Sequence, residues 1–151
     1  MSSSPGGEEE IRRLLAAYQQ YQAQAEAIAR QLGLTQLTAE GLERALKAVE
    51  AMETAEEGTE MLVPIGSGSF IHAKLASKEK VVLNVGAGVN IEKTPAEAKE
   101  SLKIRKAEVA EGSKKLNEML GKIDQEMQRI QAIMEQFEES QQQHQGSEGV
   151  V

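Results

Sequence analysis

Apolar residues in the first third of the chain recur every three and four positions. One row is Ile11, Tyr18, Ala25, Leu32, Ala39 and Leu46, and the other is Leu14, Tyr21, Ile28, Thr35, Leu42 and Val49. Only Thr35 breaks the apolar succession. A sustained 3.5-residue repeat predicts a helix with a narrow seam that packs on a second helix, as in a coiled coil. Glu8, Glu9 and Glu10 place negative charge where the helix dipole is positive. The pattern fades at Glu56-Glu57, and Gly58 is a suitable stop.

From Gly58 to Lys93 the period changes. Four short apolar runs, 61–65, 70–75, 81–85 and 89–91, are separated by Gly66-Ser67-Gly68-Ser69, Ser77-Lys78-Glu79-Lys80 and Gly86-Ala87-Gly88. β-Branched residues beside glycine-rich turns predict two β-hairpins. Helical spacing returns after Thr94-Pro95-Ala96-Glu97, where Thr is the N-cap, Pro the first helical residue and Glu the third. Leu102, Val109, Leu116, Ile123, Ile130 and Phe137 then stand seven apart, with Met119, Leu120, Met127, Ile133 and Met134 as companions. Arg105, Gly112 and Glu126 make this second seam less regular than the first.

Two matched seams joined by a folded connector pair antiparallel. The expected segments are a disordered start at 1–7, a coiled-coil helix at 8–57, the double hairpin at 58–93, a second coiled-coil helix at 94–143 and a disordered tail at 144–151. Each helix spans roughly 70 Å at about 1.5 Å per residue. Pairing Glu57 with Pro95 sets Gly33 level with Gly121 and Gly41 level with Gly112, which predicts close approach or bending at those levels.

The hairpins pose a separate question. An isolated two-stranded ribbon is marginal in water, and both helices spend their seams on each other. The strands are therefore expected to join strands of other subunits. A small β cap folded back on the helices of the same chain is the alternative.

Composition narrows the chemistry. The net charge of -7 argues against a nucleic-acid partner and an anionic membrane surface. There is no cysteine, which excludes disulfides and thiolate metal sites. No apolar run approaches the ~20 residues of a membrane span, and the polar, acidic start lacks a secretory h-region, so the expected compartment is the cytoplasm. Gly66-Ser67-Gly68 and Gly86-Ala87-Gly88 are not followed by a helix or a Gly-Lys-Ser/Thr and read as turns rather than phosphate loops. His72 and His144 lie too far apart in sequence to suggest a metal site or a triad. Most glutamates fit solvated helix faces, some with i,i+4 partners such as Glu43 with Lys47. Neither catalysis nor a cofactor is expected.

The hairpin segment carries a resemblance. Met61-Leu62-Val63-Pro64-Ile65-Gly66-Ser67-Gly68-Ser69-Phe70, then Ala73-Lys74, Asn84-Val85-Gly86-Ala87-Gly88-Val89 and Glu92-Lys93, is similar to the prefoldin alpha subunit family of archaea and their eukaryotic relatives. The double hairpin is the alpha-class pattern, whereas beta-class subunits carry a single hairpin. The resemblance implies a mainly helical fold, a long antiparallel coiled-coil hairpin with two β-hairpins between its helices. It implies assembly of the hairpins into an oligomeric β-barrel platform of two alpha and four beta subunits.

The activity implied is that of an ATP-independent chaperone that holds non-native proteins at coiled-coil tips and passes them to a group II chaperonin. Carried onto this chain, subunit assembly falls to Leu62, Val63, Ile65, Phe70, Ile71, Leu75, Val81, Leu83, Val85, Val89 and Ile91. Client binding falls to Ile11, Leu14, Leu15, Tyr18, Ile133, Met134 and Phe137, where Leu15 lies outside the seam rows and Met134 is adaptable. The competing functions are a structural coiled-coil adaptor for one defined partner and an RNA-binding helical arm, the latter disfavoured by the acidic helices.

Overall fold

The computed structural model describes residues 5–148. Six elements follow in order: α1 (Pro5–Thr54), β1 (Glu60–Gly66), β2 (Ser69–Lys74), β3 (Val81–Asn84), β4 (Asn90–Lys93) and α2 (Pro95–Glu148). The helix bounds correct two expectations. Residues 5–7 belong to the first turn of α1 rather than to a disordered start, since proline is favoured at the first helical position. Residues 144–148 continue α2 instead of forming a tail, because the glutamine-rich sequence before them is compatible with helix. Residues 1–4 and 149–151 of the expected disordered ends lie outside the described residues.

The start of α2 forms as its sequence requires. The Glu97 amide donates to Thr94 Oγ1 at 3.2 Å, and the Ala98 amide donates to the Thr94 carbonyl at 2.8 Å. The end of α1 comes earlier than Glu57. Thr54 Oγ1 donates to the Ala51 carbonyl, and the chain turns through Gly58, whose amide donates to the Leu75 carbonyl at 2.8 Å. Gly58 therefore joins the hairpin rather than capping the helix.

β1 and β2 pair antiparallel from Glu60↔Lys74 to Pro64↔Phe70, with a register shift between Pro64 and Gly66. β3 and β4 pair antiparallel from Val81↔Lys93 to Asn84↔Asn90. The tips share one backbone. Gly66, Ser67 and Gly68 have φ of 104°, 51° and 71°, and Gly86, Ala87 and Gly88 have 106°, 52° and 75°. Three successive left-handed residues explain a glycine on each side of the central position.

The described chain divides into two compact units, residues 5–35 with 112–148 and residues 36–111. In the second, Leu42, Leu46, Val49, Leu83, Ala98 and Leu102 form one buried cluster, with Ala45, Val81 and Val109 packed against it. This corrects the expectation that no helical surface remains for the hairpins. Leu83 is 8% exposed. Ala98, fully buried, and Ala45 are small enough to leave room for its side chain between the helices. Arg105 Nη1 donates to the Asn84 carbonyl at 3.1 Å, and Lys93 Nζ to Ser101 Oγ at 2.9 Å, which ties both strands to α2. Burying Leu83 is worth about 1.5–3 kcal/mol. The β1–β2 ribbon differs, being a separate sheet with no buried residue.

In this same unit Lys99 pairs with Glu53 at 2.8 Å and Lys106 with Glu43. In the other unit Ile28, Ile123 and Ile130 are buried, and Gln131 Nε2 donates to Tyr18 Oη at 3.1 Å. These cross-helix pairs agree with the register set by Glu57 and Pro95. All twelve seam positions of α1 are buried or half-buried. On α2, Leu102, Ile123 and Ile130 are buried, and Val109, Leu116 and Phe137 half-buried. Met119 is 51% exposed and is no companion to the seam. It stands beside Leu120, and adjacent helical residues point about 100° apart, so only one can face inward.

Close approach at the glycines is not found. A Cβ on Gly33, Gly112 or Gly121 would meet nothing within 4 Å, and one on Gly41 only the Arg44 guanidinium at 3.9 Å. Both helices continue through all four positions.

Candidate functional site: open hairpin and apolar helix ends

The expected assembly residues fall into two groups. In the β1–β2 ribbon, cross-strand pairing sets Leu62 with His72 and Pro64 with Phe70 on one face, and Met61 with Ala73 and Val63 with Ile71 on the other. Leu62, Ile65, Phe70 and Ile71 are exposed, while Val63 and Leu75 are half-buried. Apolar side chains thus meet solvent on both faces of an unaccompanied ribbon. In the β3–β4 ribbon, Leu83 and Val81 face the helices, and Val85, Val89 and Ile91 remain exposed. Leu83 and Val81 are therefore engaged within the chain itself. That distinction was invisible in the alternating pattern, which treats the ribbons alike.

The expected client-binding residues lie in the other compact unit. Ile11, Leu14, Tyr18, Ile133, Met134 and Phe137 are half-buried, and Leu15 is 44% exposed. Leu15 projects as its place outside the seam rows requires. Tyr18 is tied to α2 through Gln131, which precedes Ile133 and Met134 by less than a turn. Half-burial leaves apolar surface available, a character that suits contacts of low specificity.

Two features escaped the sequence reading. A solvent-open hollow of about 460 Å³ is lined by Ala25, Asn117, Leu120, Gly121, Asp124 and Met127. Its signal was two small residues near one another in the expected register, Ala25 level with Met127 and Gly121 less than two turns before Met127. Leu34, Leu37 and Ile104 are also more than half exposed, and Leu34 and Leu37 stand at outward heptad positions.

The polar chemistry is sparse. Hydrogen bonding by Lys106, then its charge, holds the Glu43 carboxyl below the usual carboxylate range, and Lys47 at 3.9 Å adds to the effect. His72 is exposed on β2. Among the described residues no group of three His, Cys, Asp or Glu could hold a metal ion, and no helix is long and apolar enough to cross a membrane.

Comparison with known proteins places this architecture. The prefoldin subunit family model matches residues 8–140. A prefoldin subunit alpha of Methanothrix thermoacetophila is 56% identical over 118 residues, covering 78% of this chain and 77% of that protein. A prefoldin subunit alpha of Methanococcoides burtonii is 36% identical over 131 residues, covering 87% and 95%. A chain from the cryo-electron microscopy structure of a filamentous PFD from Methanocaldococcus jannaschii superimposes with a TM-score of 0.66 at 24% identity, covering 78% of this chain and 97% of that one. That likeness establishes the fold. With the double hairpin between two long helices and a family match across most of its length, the chain belongs to the prefoldin family.

Proposed function

We propose that this chain is the alpha-class subunit of an ATP-independent holdase chaperone that works in the cytoplasm. Two copies combine with four beta-class subunits, and their hairpins close into a β-barrel platform. Residues at the start of α1 and toward the end of α2, with Leu15, Met134 and Phe137 foremost, hold non-native proteins. The held protein is then passed to a group II chaperonin. No step needs a cofactor or bond-making chemistry.

The observation that carries this reading is the β1–β2 ribbon. Leu62, Ile65, Phe70 and Ile71 are exposed on a two-stranded sheet that contributes nothing to its own core. A surface of that kind is stable in water only when other strands or another sheet cover it. Co-expression with a beta-class subunit, followed by native mass measurement, tests the assembly. A complex of two alpha and four beta chains is expected. A chain that stays monomeric beside an assembled beta-class partner would overturn it.

A further inference from the structure

We infer that residues 31–41 of α1 are an opening segment built into the helix, which unwinds locally while residues 42–49 stay folded. The first ground is composition. Gln31 to Gly41 holds Gly33, Thr35, Thr38 and Gly41, and no other glycine occurs in α1 after its first turn. Glycine and threonine are among the weaker helix formers, glycine through backbone freedom and threonine through restricted side-chain rotation.

The second ground is packing. Between Ile28 and Leu42 the seam of α1 supplies no buried side chain: Leu32, Thr35 and Ala39 are each half-buried. Most helical stability in proteins comes from burial of an apolar face rather than from propensity. Here both contributions are weak at once, whereas Leu42, Leu46 and Val49 restore burial immediately afterwards.

The glycines are also not explained by crowding. A Cβ at Gly33 would enter open space, and one at Gly41 would meet only the end of Arg44 at ordinary contact distance. Alanine would fit at both. In addition, Thr35 Oγ1 donates to the Gln31 carbonyl at 2.8 Å, so a side chain shares the acceptor that the helix ladder uses. The compact units of the chain part within this segment, between Thr35 and Gln36. Local opening free energies are lowest where buried contacts are few and backbone hydrogen bonds are held by little else. The consequence is that disorder on one side of the segment is not transmitted along the helix to the other.

Amide hydrogen exchange read by mass spectrometry on the full-length chain tests this. After correction for intrinsic rates, amides of residues 31–41 are expected to exchange about tenfold or more faster than those of residues 42–49. Gly33→Ala and Gly41→Ala should each slow exchange within 31–41 by about fivefold and leave 42–49 unchanged. Equal protection in the two stretches overturns the inference. So does a slowing spread evenly over both stretches, or no slowing in either variant. Because the readout is exchange alone, it stands or falls independently of chaperone activity.

Discussion

Replacing Leu83 by alanine should detach the β3–β4 ribbon from the helices beneath it. Leu83 is 8% exposed and lies in the cluster with Leu42, Leu46, Val49, Ala98 and Leu102. The substitution removes three carbons, each worth about 0.8 kcal/mol when buried. Scaled for residual exposure, the transfer loss is about 2 kcal/mol. A cavity contribution follows unless the neighbours collapse, and Leu→Ala in protein cores costs about 2–5 kcal/mol in total. This cluster is small and near solvent, which favours collapse, so a loss of about 2–3 kcal/mol is expected. Val82, next along β3, is 65% exposed, and Val82→Ala should change stability by less than about 0.5 kcal/mol. Urea unfolding of the full chain, followed by circular dichroism, compares the two. Equal effects, or a neutral Leu83→Ala, would refute the docking of this ribbon and return both hairpins to the status of free strands.

Three further outcomes are expected. The triple variant Leu15→Ser, Met134→Ser, Phe137→Ser should lower protection of denatured clients against aggregation, scored by light scattering, while the assembled mass is unchanged; full protection would remove these residues from the client surface. Thr94→Ala should destabilise the chain by about 1 kcal/mol through loss of the bond to the Glu97 amide, with Thr94→Ser keeping most of it in the same urea assay. The Glu43 carboxyl, held below its ordinary value of 4.5 by Lys106, contributes stability that is present above that value and lost as pH falls through the depressed one. Lys106→Ala should raise the Glu43 pKa toward the ordinary value in an NMR titration, and an unmoved titration would contradict the ion pair.

The helices were legible because a 3.5-residue repeat leaves few alternatives: all twelve seam positions read from α1 are shielded. α2 was read less well where its pattern is ambiguous. Met119 and Leu120 are both apolar and adjacent, and periodicity alone does not choose which turns inward. Turn chemistry located both hairpins, since Gly-x-Gly beside β-branched runs has few other readings. The docking of Leu83 was not legible. It depends on the small residues Ala45 and Ala98 of the two helices packing into the same cluster as Leu83, a three-dimensional coincidence of residues far apart in sequence. The heptad rows had marked those helical surfaces as already spent. The expected client-binding residues were chosen only as apolar positions near helix ends, because half-burial emerges from packing and not from residue type.

The open β1–β2 ribbon also bears on how the chain must be made. A copy synthesised before its partners carries two unprotected strand edges and apolar faces, the ingredients of strand-to-strand stacking. Its own sequence blunts that hazard. Pro64 has no amide hydrogen to offer an incoming strand, the register shift before Gly66 breaks the regular ladder, and Glu60 and Lys74 put charge at the ribbon's open end. These are delaying devices rather than a cover. Until other strands cover it, this ribbon stays open to pairing with strands of other copies.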